Sequence, residues 1–248
     1  MGYWRDSTTL FERAVSVTEG NYLAYSGLGT VRSRAGDIEG AIVLYREALR
    51  LKPGHPMANY NLAKVLIQQR RFEEALPYVT RLAELFPERP ALRFNLARTL
   101  EETGDLKGSV VAYKEGLTLD PSDVDARTRV GLNLLRLGRA AEAADSFRVV
   151  LATDSTAREA KRQSIGLLAA GSEPALHNPR EAVRLAEELL TQGEATEAND
   201  FYAAALAYSS AGQYEDAVRT AEKAAERARA SGQSDVAARA EALLRLYR

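Results

Sequence analysis

Apolar and small residues return along this chain every 34 positions, with Ala41, Ala75, Ser109 and Ala143 marking the beat. Four blocks superpose on that spacing: 22–55, 56–89, 90–123 and 124–157. Their seventh positions carry the packing residues Leu28, Leu62, Leu96 and Val130, and their eighth positions the small residues Gly29, Ala63, Ala97 and Gly131. Farther on come Tyr45, Val79, Tyr113 and Phe147, and then Ala48, Leu82, Gly116 and Val150. Between these two sets stand Gly36, Arg70, Gly104 and Gly138, where a left-handed residue ends one helix before the next begins. Pro53, Pro87 and Pro121 close the first three blocks and stop the second helix. Each block is therefore a helix, a turn and a second helix, and no block can bury its apolar stripe without a neighbour.

The ends of the chain depart from the period in readable ways. Residues 3–21 fall in register with the second half of a block, with Trp4 matching Phe72, Phe11 matching Tyr45 and Ala14 matching Ala48. Such a half repeat is expected either of a fragment of a longer protein or of a single capping helix, and an uncovered Trp4 favours the fragment. Residues 158–197 form a looser repeat with an insertion at 172–178, after which Asn178 caps a helix that opens on Pro179. The period returns in 198–231, and a last amphipathic helix over 234–247 is expected to cap a single array.

Two residues break the local rules. Arg70 holds the place of a turn glycine, where a side chain is costly if the backbone is left-handed. Pro77 lies several residues inside a second helix, too deep for a harmless first-turn proline, so a local kink or widened turn is expected there.

This pattern resembles the tetratricopeptide repeat, in which small residues at fixed places let helices approach closely. The resemblance implies an all-α fold, a right-handed α-solenoid superhelix of antiparallel helix pairs. It also implies a function, that of a non-catalytic scaffold holding an extended peptide or partner segment in a concave groove. In each first helix the fourth, seventh, eighth and eleventh positions form the packing stripe, leaving the second, fifth, sixth, ninth, twelfth and thirteenth on the other face. That face carries the candidate peptide-binding residues Tyr60, Asn61, Lys64, Phe94, Asn95, Arg98, Arg129 and Arg136.

Asn61 and Asn95 share the sixth position of successive blocks, where the tetratricopeptide arm of the O-linked N-acetylglucosamine transferases carries an asparagine ladder. An amide offers both a donor and an acceptor to a peptide backbone. The alternative is that these asparagines only bond neighbouring helices. Lys64, Arg98, Arg129 and Arg136 tilt the same face positive and suit a partner of acidic character.

A second resemblance bears on setting. Tyr3 to Ser7, the following Thr9, Leu10 and Phe11, and residues 14–18 look like the start of the repeat arm of bacterial polytopic membrane proteins. Those proteins are similar to transmembrane, tetratricopeptide-containing O-mannosyltransferases. The resemblance implies an alternative function, a substrate-presenting arm outside the cytoplasm that is tethered to a membrane-embedded glycosyltransferase; without it, a cytoplasmic adaptor is expected.

Composition narrows the chemistry. Lys and Arg number 33 against 34 Asp and Glu, a balance that argues against a nucleic-acid partner. With no cysteine, disulfides and thiolate metal sites are excluded. No stretch is apolar for long enough to insert in a bilayer. The two histidines, His55 and His177, fall in expected connections and read as solvent-exposed loop residues. Asp120, Asp123 and Asp125 lack the glycine and distal glutamate of a calcium loop. No catalytic residue, cofactor or metal site is expected, and a monomer is favoured.

Overall fold

In a computed structural model the described residues, 7–18, 20–171, 173–191 and 197–247, form fourteen α-helices and no strand. They fall into two compact units, 1–121 and 122–248. Trp4 and the rest of residues 3–6 lie outside the described residues.

The first unit holds α1 (Ser7–Val17), α2 (Tyr22–Arg34), α3 (Ile38–Leu51), α4 (Pro56–Gln68), α5 (Phe72–Leu85), α6 (Pro90–Glu102) and α7 (Leu106–Leu119), each packed on the next. Local chemistry sets where they start. Side chains of Asn21, Asp37 and Asp105 accept the amides of Ala24, Gly40 and Gly108 at 3.0, 3.0 and 2.9 Å, which satisfies one orphan donor of each helix. α4 and α6 open instead on Pro56 and Pro90, where the missing N–H costs nothing.

The turns inside the blocks follow one geometry. Gly36 and Gly104 have φ of 85° and 87°. Arg70 adopts the same left-handed backbone at φ 57°, so the turn overrides the residue. Its amide donates to the Ile67 carbonyl at 2.9 Å, and the Arg71 amide to that of Leu66, also at 2.9 Å, which closes the end of α4. Pro77 sits within α5, which runs unbroken from Phe72 to Leu85.

Packing keeps the beat. Ala41, Ala75 and Ser109 have no exposed surface, and Tyr45 and Tyr113 are at most 1 % exposed. One cluster in this unit joins Ala41, Tyr45 and Ala48 of α3 to Leu62 and Leu66 of α4 and Ala75 of α5.

The second unit holds α8 (Val124–Arg136), α9 (Ala140–Thr153), α10 (Arg158–Ala170), α11 (Pro179–Thr191), α12 (Ala198–Ser210), α13 (Tyr214–Ala230) and α14 (Ser234–Tyr247). Here too each helix packs on the next, and α10 also touches α12. Where Gly138 and Gly212 make left-handed turns, Gly171 leaves α10 in extended backbone, at φ −63° and ψ 147°. The chain then makes a 3-10 turn at Pro174–Leu176, and the Asn178 amide donates to the Leu168 carbonyl at 3.0 Å. The Asn178 side chain accepts the Glu181 amide at 3.2 Å at the start of α11.

Ala75 has no exposed surface to expand into, so Ala75→Leu is expected to destabilise the fold by ~1–3 kcal/mol through overpacking. Thermal melts check this, and an unchanged midpoint would place the residue outside a tight contact. Arg70→Gly acts in the opposite sense. Relief of a non-glycine left-handed residue is worth ~1–3 kcal/mol, and the added freedom of glycine in the unfolded chain takes back ~0.4–1 kcal/mol. Arg70 also loses an exposed contact to Glu102 at 3.7 Å and its place 5.7 Å from the centre of the Phe72 ring, both of small worth at a surface. Denaturant titration is expected to show a net gain of ~1 kcal/mol, and at most ~2 kcal/mol.

Candidate functional site

The free face of α4 is built by its pattern. Leu62, Val65 and Leu66 turn into the core, which leaves Met57 and Tyr60 exposed at 58 % and 49 % and Lys64 in solvent. Leu23 of α2, at the same repeat position as Met57, is 57 % exposed. On α6, Asn95 and Arg98 are exposed one turn apart. The first unit thus gathers Tyr60, Asn61 and Lys64 on one helix face and Asn95 and Arg98 on another.

Asn61 is already engaged. Its Nδ2 donates to Thr30 Oγ1 of α2 at 3.2 Å, and the same hydroxyl accepts from the Tyr45 phenol at 3.3 Å while donating to the Ser26 carbonyl at 3.0 Å. Burial raises the Tyr45 pKa, outweighing the lowering by Thr30 and Arg34, so this phenol stays a donor. Asn61 therefore ties α4 to α2, whereas Asn95 projects into solvent.

Phe94 must be corrected. It shares the fifth repeat position with Tyr60, yet it is 7 % exposed and lies 6.3 Å from the Tyr113 ring, centre to centre. The reason is Gly116, where an added Cβ would overlap the Phe94 ring. One block earlier Leu82 fills the corresponding place. The glycine makes the hole that takes the phenylalanine in, and this was the sequence signal to read. Phe94 is core, not a ligand contact.

In the second unit Arg129 is half-buried and pairs with Asp125 at 3.5 Å, and Arg136 is exposed with Nη1 donating to Asn133 Oδ1 at 3.4 Å. Asp123, one of the three candidate cation-loop aspartates, caps α8 by accepting the Ala126 amide at 2.7 Å. Among the described residues no group of three or more His, Cys, Asp and Glu side chains could hold a metal ion. No described helix is long and apolar enough to cross a membrane.

His55 is not the solvated loop residue expected. It is half-buried at the cap of α4, edge-on to the Tyr22 ring at 5.0 Å, and the Lys52 ammonium donates to the Tyr22 hydroxyl at 3.0 Å. Burial, and after it the Lys52 charge, lowers the His55 pKa below 6.5. The unfolded chain then binds a proton at higher pH than the folded one. Stability from this group is complete above 6.5 and falls as the pH drops from there toward the depressed folded value. Melting temperatures are expected to decline as the pH falls below 6.5, and His55→Gln is expected to flatten that part of the profile. An unaltered slope in the variant would assign the decline to other groups.

Comparison with known proteins follows the same lines as the geometry. Family models described as the tetratricopeptide repeat match residues 1–56, 60–123 and 110–158, a second such model 33–80, and a third 198–231. Among solved structures, YrrB, described as "a TPR protein with an unusual peptide-binding site", is 19 % identical, with 93 % of this chain and 97 % of that one covered at a TM-score of 0.52. A MamA protein structure is 15 % identical, covering 87 % and 96 % at a TM-score of 0.52. MamA 41-end from Desulfovibrio magneticus RS-1 is 20 % identical, covering 59 % and 83 % at 0.49. No curated protein matches the chain. At these identities the likeness to solved structures is one of fold.

Proposed function

The chain belongs to the tetratricopeptide repeat family, and from that premise we propose that it is a protein-interaction scaffold whose first helices bind an extended peptide. The observation that carries this is the exposed set on α4 and α6: an aromatic ring at Tyr60, a cation at Lys64 and a solvent-facing amide at Asn95. An exposed Tyr with Met57 and Leu23 offers apolar area, and the amide and ammonium offer hydrogen bonds to a backbone or carboxylate. The peptide-binding site ascribed to YrrB supports the reading by analogy of fold. Arg98 completes the proposed face of the first unit and gives it a preference for acidic partners; Arg129 and Arg136 are proposed as contacts of the second unit taken by itself, with the chain acting as a monomer. The ladder contracts to Asn95, since Asn61 spends its Nδ2 donor on Thr30.

The finer resemblance, to the repeat arm of membrane proteins similar to O-mannosyltransferases, rests on the opening residues and finds no counterpart in the comparisons. The extracytoplasmic arm remains the alternative proposal, decided by whether long apolar segments are encoded upstream of Tyr3.

Selection from a random peptide phage library on the purified chain tests the main reading. Peptides recovered by the native chain are expected to be lost by Tyr60→Ala/Lys64→Ala/Asn95→Ala, with no change in melting temperature because all three side chains face solvent. Equal recovery by both proteins would move the binding site off the first helices.

A further inference from the structure

The second helices of the first unit carry a separate feature that the peptide-binding reading leaves unused. Between α3 and α5, over the start of α4, lies an open cleft of about 390 Å³, a volume within the range of ligand sites. Three of its lining residues are arginines, Arg46, Arg50 and Arg81, and none is an acid. Its apolar wall is made by Leu49, Pro53, Pro77 and Tyr78. Buried Asn59 lies beneath, with its Nδ2 donating to the Pro53 and His55 carbonyls at 2.9 Å each, which fixes the connection that forms one side.

The three arginines are local to this cleft. One repeat farther on, the places of Arg46, Arg50 and Arg81 are taken by Thr80, Glu84 and Glu115, so three cations give way to two acids and a hydroxyl. Gly54 contributes by what it lacks: the nearest atom to an added Cβ there is Arg81 Nη2, 3.6 Å away, and the same place one repeat on is Glu88. Pro77, costly inside a helix, presents its exposed ring to the cleft.

Each arginine is already reading a carboxylate. Arg46 meets Glu74 at 2.5 Å, Arg50 meets Glu47 at 2.9 Å and Arg81 meets Glu84 at 3.0 Å, all with exposed side chains. Surface pairs of this kind are weak, so an incoming carboxylate can replace the internal one at little cost. Three guanidiniums holding three separate carboxylates match a ligand whose negative charges are spaced, with an aliphatic or proline side chain between them. A single phosphate would need donors converging on one point.

We propose that this cleft is a second docking site, which takes an acidic peptide segment of another protein with carboxylates flanking an apolar residue. It stands apart from the first-helix face, so either site can fail without the other.

The test uses the whole chain and a fluorescein-labelled peptide Glu-Glu-Leu-Pro-Glu-Glu, read by anisotropy and by amide chemical-shift mapping. Expected are salt-sensitive binding, shifts at residues 46–54 and 77–81, and affinity at those residues lowered about tenfold or more in Arg46→Ser/Arg50→Ser/Arg81→Ser. In Tyr60→Ala/Lys64→Ala/Asn95→Ala, which disables the first-helix face, the shifts at residues 46–54 and 77–81 are expected to persist. Mapping on the native chain keeps the result independent of how the arginine variant folds. Shifts on α2, α4 and α6 faces in place of the cleft would overturn the proposal, as would unaltered binding by the arginine variant. Stronger binding of a phosphoserine peptide of equal charge, or of anionic phosphatidylserine vesicles, would overturn the ligand class.

Discussion

The architecture depends on how closely the two helices of a block approach, and that distance is set by a reciprocal choice of size at two repeat positions. Where the second helix carries an aromatic, the first makes room: a Cβ at Gly29 would lie 2.8 Å from the Tyr45 ring, and one at Gly131 would lie 2.5 Å from that of Phe147. At the same two repeat positions the other blocks carry Val79 with Ala63 and Tyr113 with Ala97, so the first-helix residue stays small even where it is not glycine. Interiors packed to crystal-like density leave no slack for an added methylene. Fixing this approach also fixes the rotation of each first helix, because the same side chains must meet the same hollows in every block. The exposed face of α4 follows from the buried face, without any separate device to aim Tyr60 or Lys64 outward.

The same exchange of volumes decides which aromatic is free to meet a ligand. At the fifth and twenty-seventh positions the pairs are Ser26 with Ala48, Tyr60 with Leu82, and Phe94 with Gly116. Leu82 fills its own space and Tyr60 stays 49 % exposed; Gly116 leaves space and Phe94 falls to 7 %. A ring in water gains ~1.5–3 kcal/mol by entering such a hole, so a binding face on this scaffold can gain or lose an anchor through a substitution on the opposite helix. Neighbouring blocks of one unit differ in surface for a reason that lies in the core.

Helix placement was legible because it rests on residues that act within a few positions of themselves. Asn21, Asp37, Asp105 and Asn178 cap helices where their side chains can reach amides three residues on. Arg70 shows how strong the block is, since the turn keeps its left-handed form against the preference of its residue. The site was less legible because exposure there is decided by partners outside the helix. Phe94 looked like Tyr60 until Gly116 was counted as part of its surroundings. Asn61 looked like Asn95, but Thr30 lies 31 residues away on the preceding first helix and takes its amide hydrogen. A face read from the spacing of one helix identifies the direction of a side chain and omits what stands there to receive it.

Least legible were the charges of the second unit, and they stand where the period fails. Asp200 is fully buried between Arg158 and Arg162 of α10, with Arg162 Nη1 3.3 Å from its Oδ1, and it also accepts the Glu197 amide at 2.8 Å. Lys161 is 1 % exposed and pairs with Glu188 of α11 at 3.0 Å. A buried ionic group contributes little net stability against an apolar replacement, but the loss of one member leaves the others uncompensated, at a cost of ~3–5 kcal/mol. It therefore penalises every arrangement in which Asp200 fails to reach both arginines. In the regular blocks the 34-residue spacing and the small residues define where the next first helix lies. The insertion at 172–178 removes that definition between α10 and α12, and the aspartate at the head of α12 supplies it again through charge.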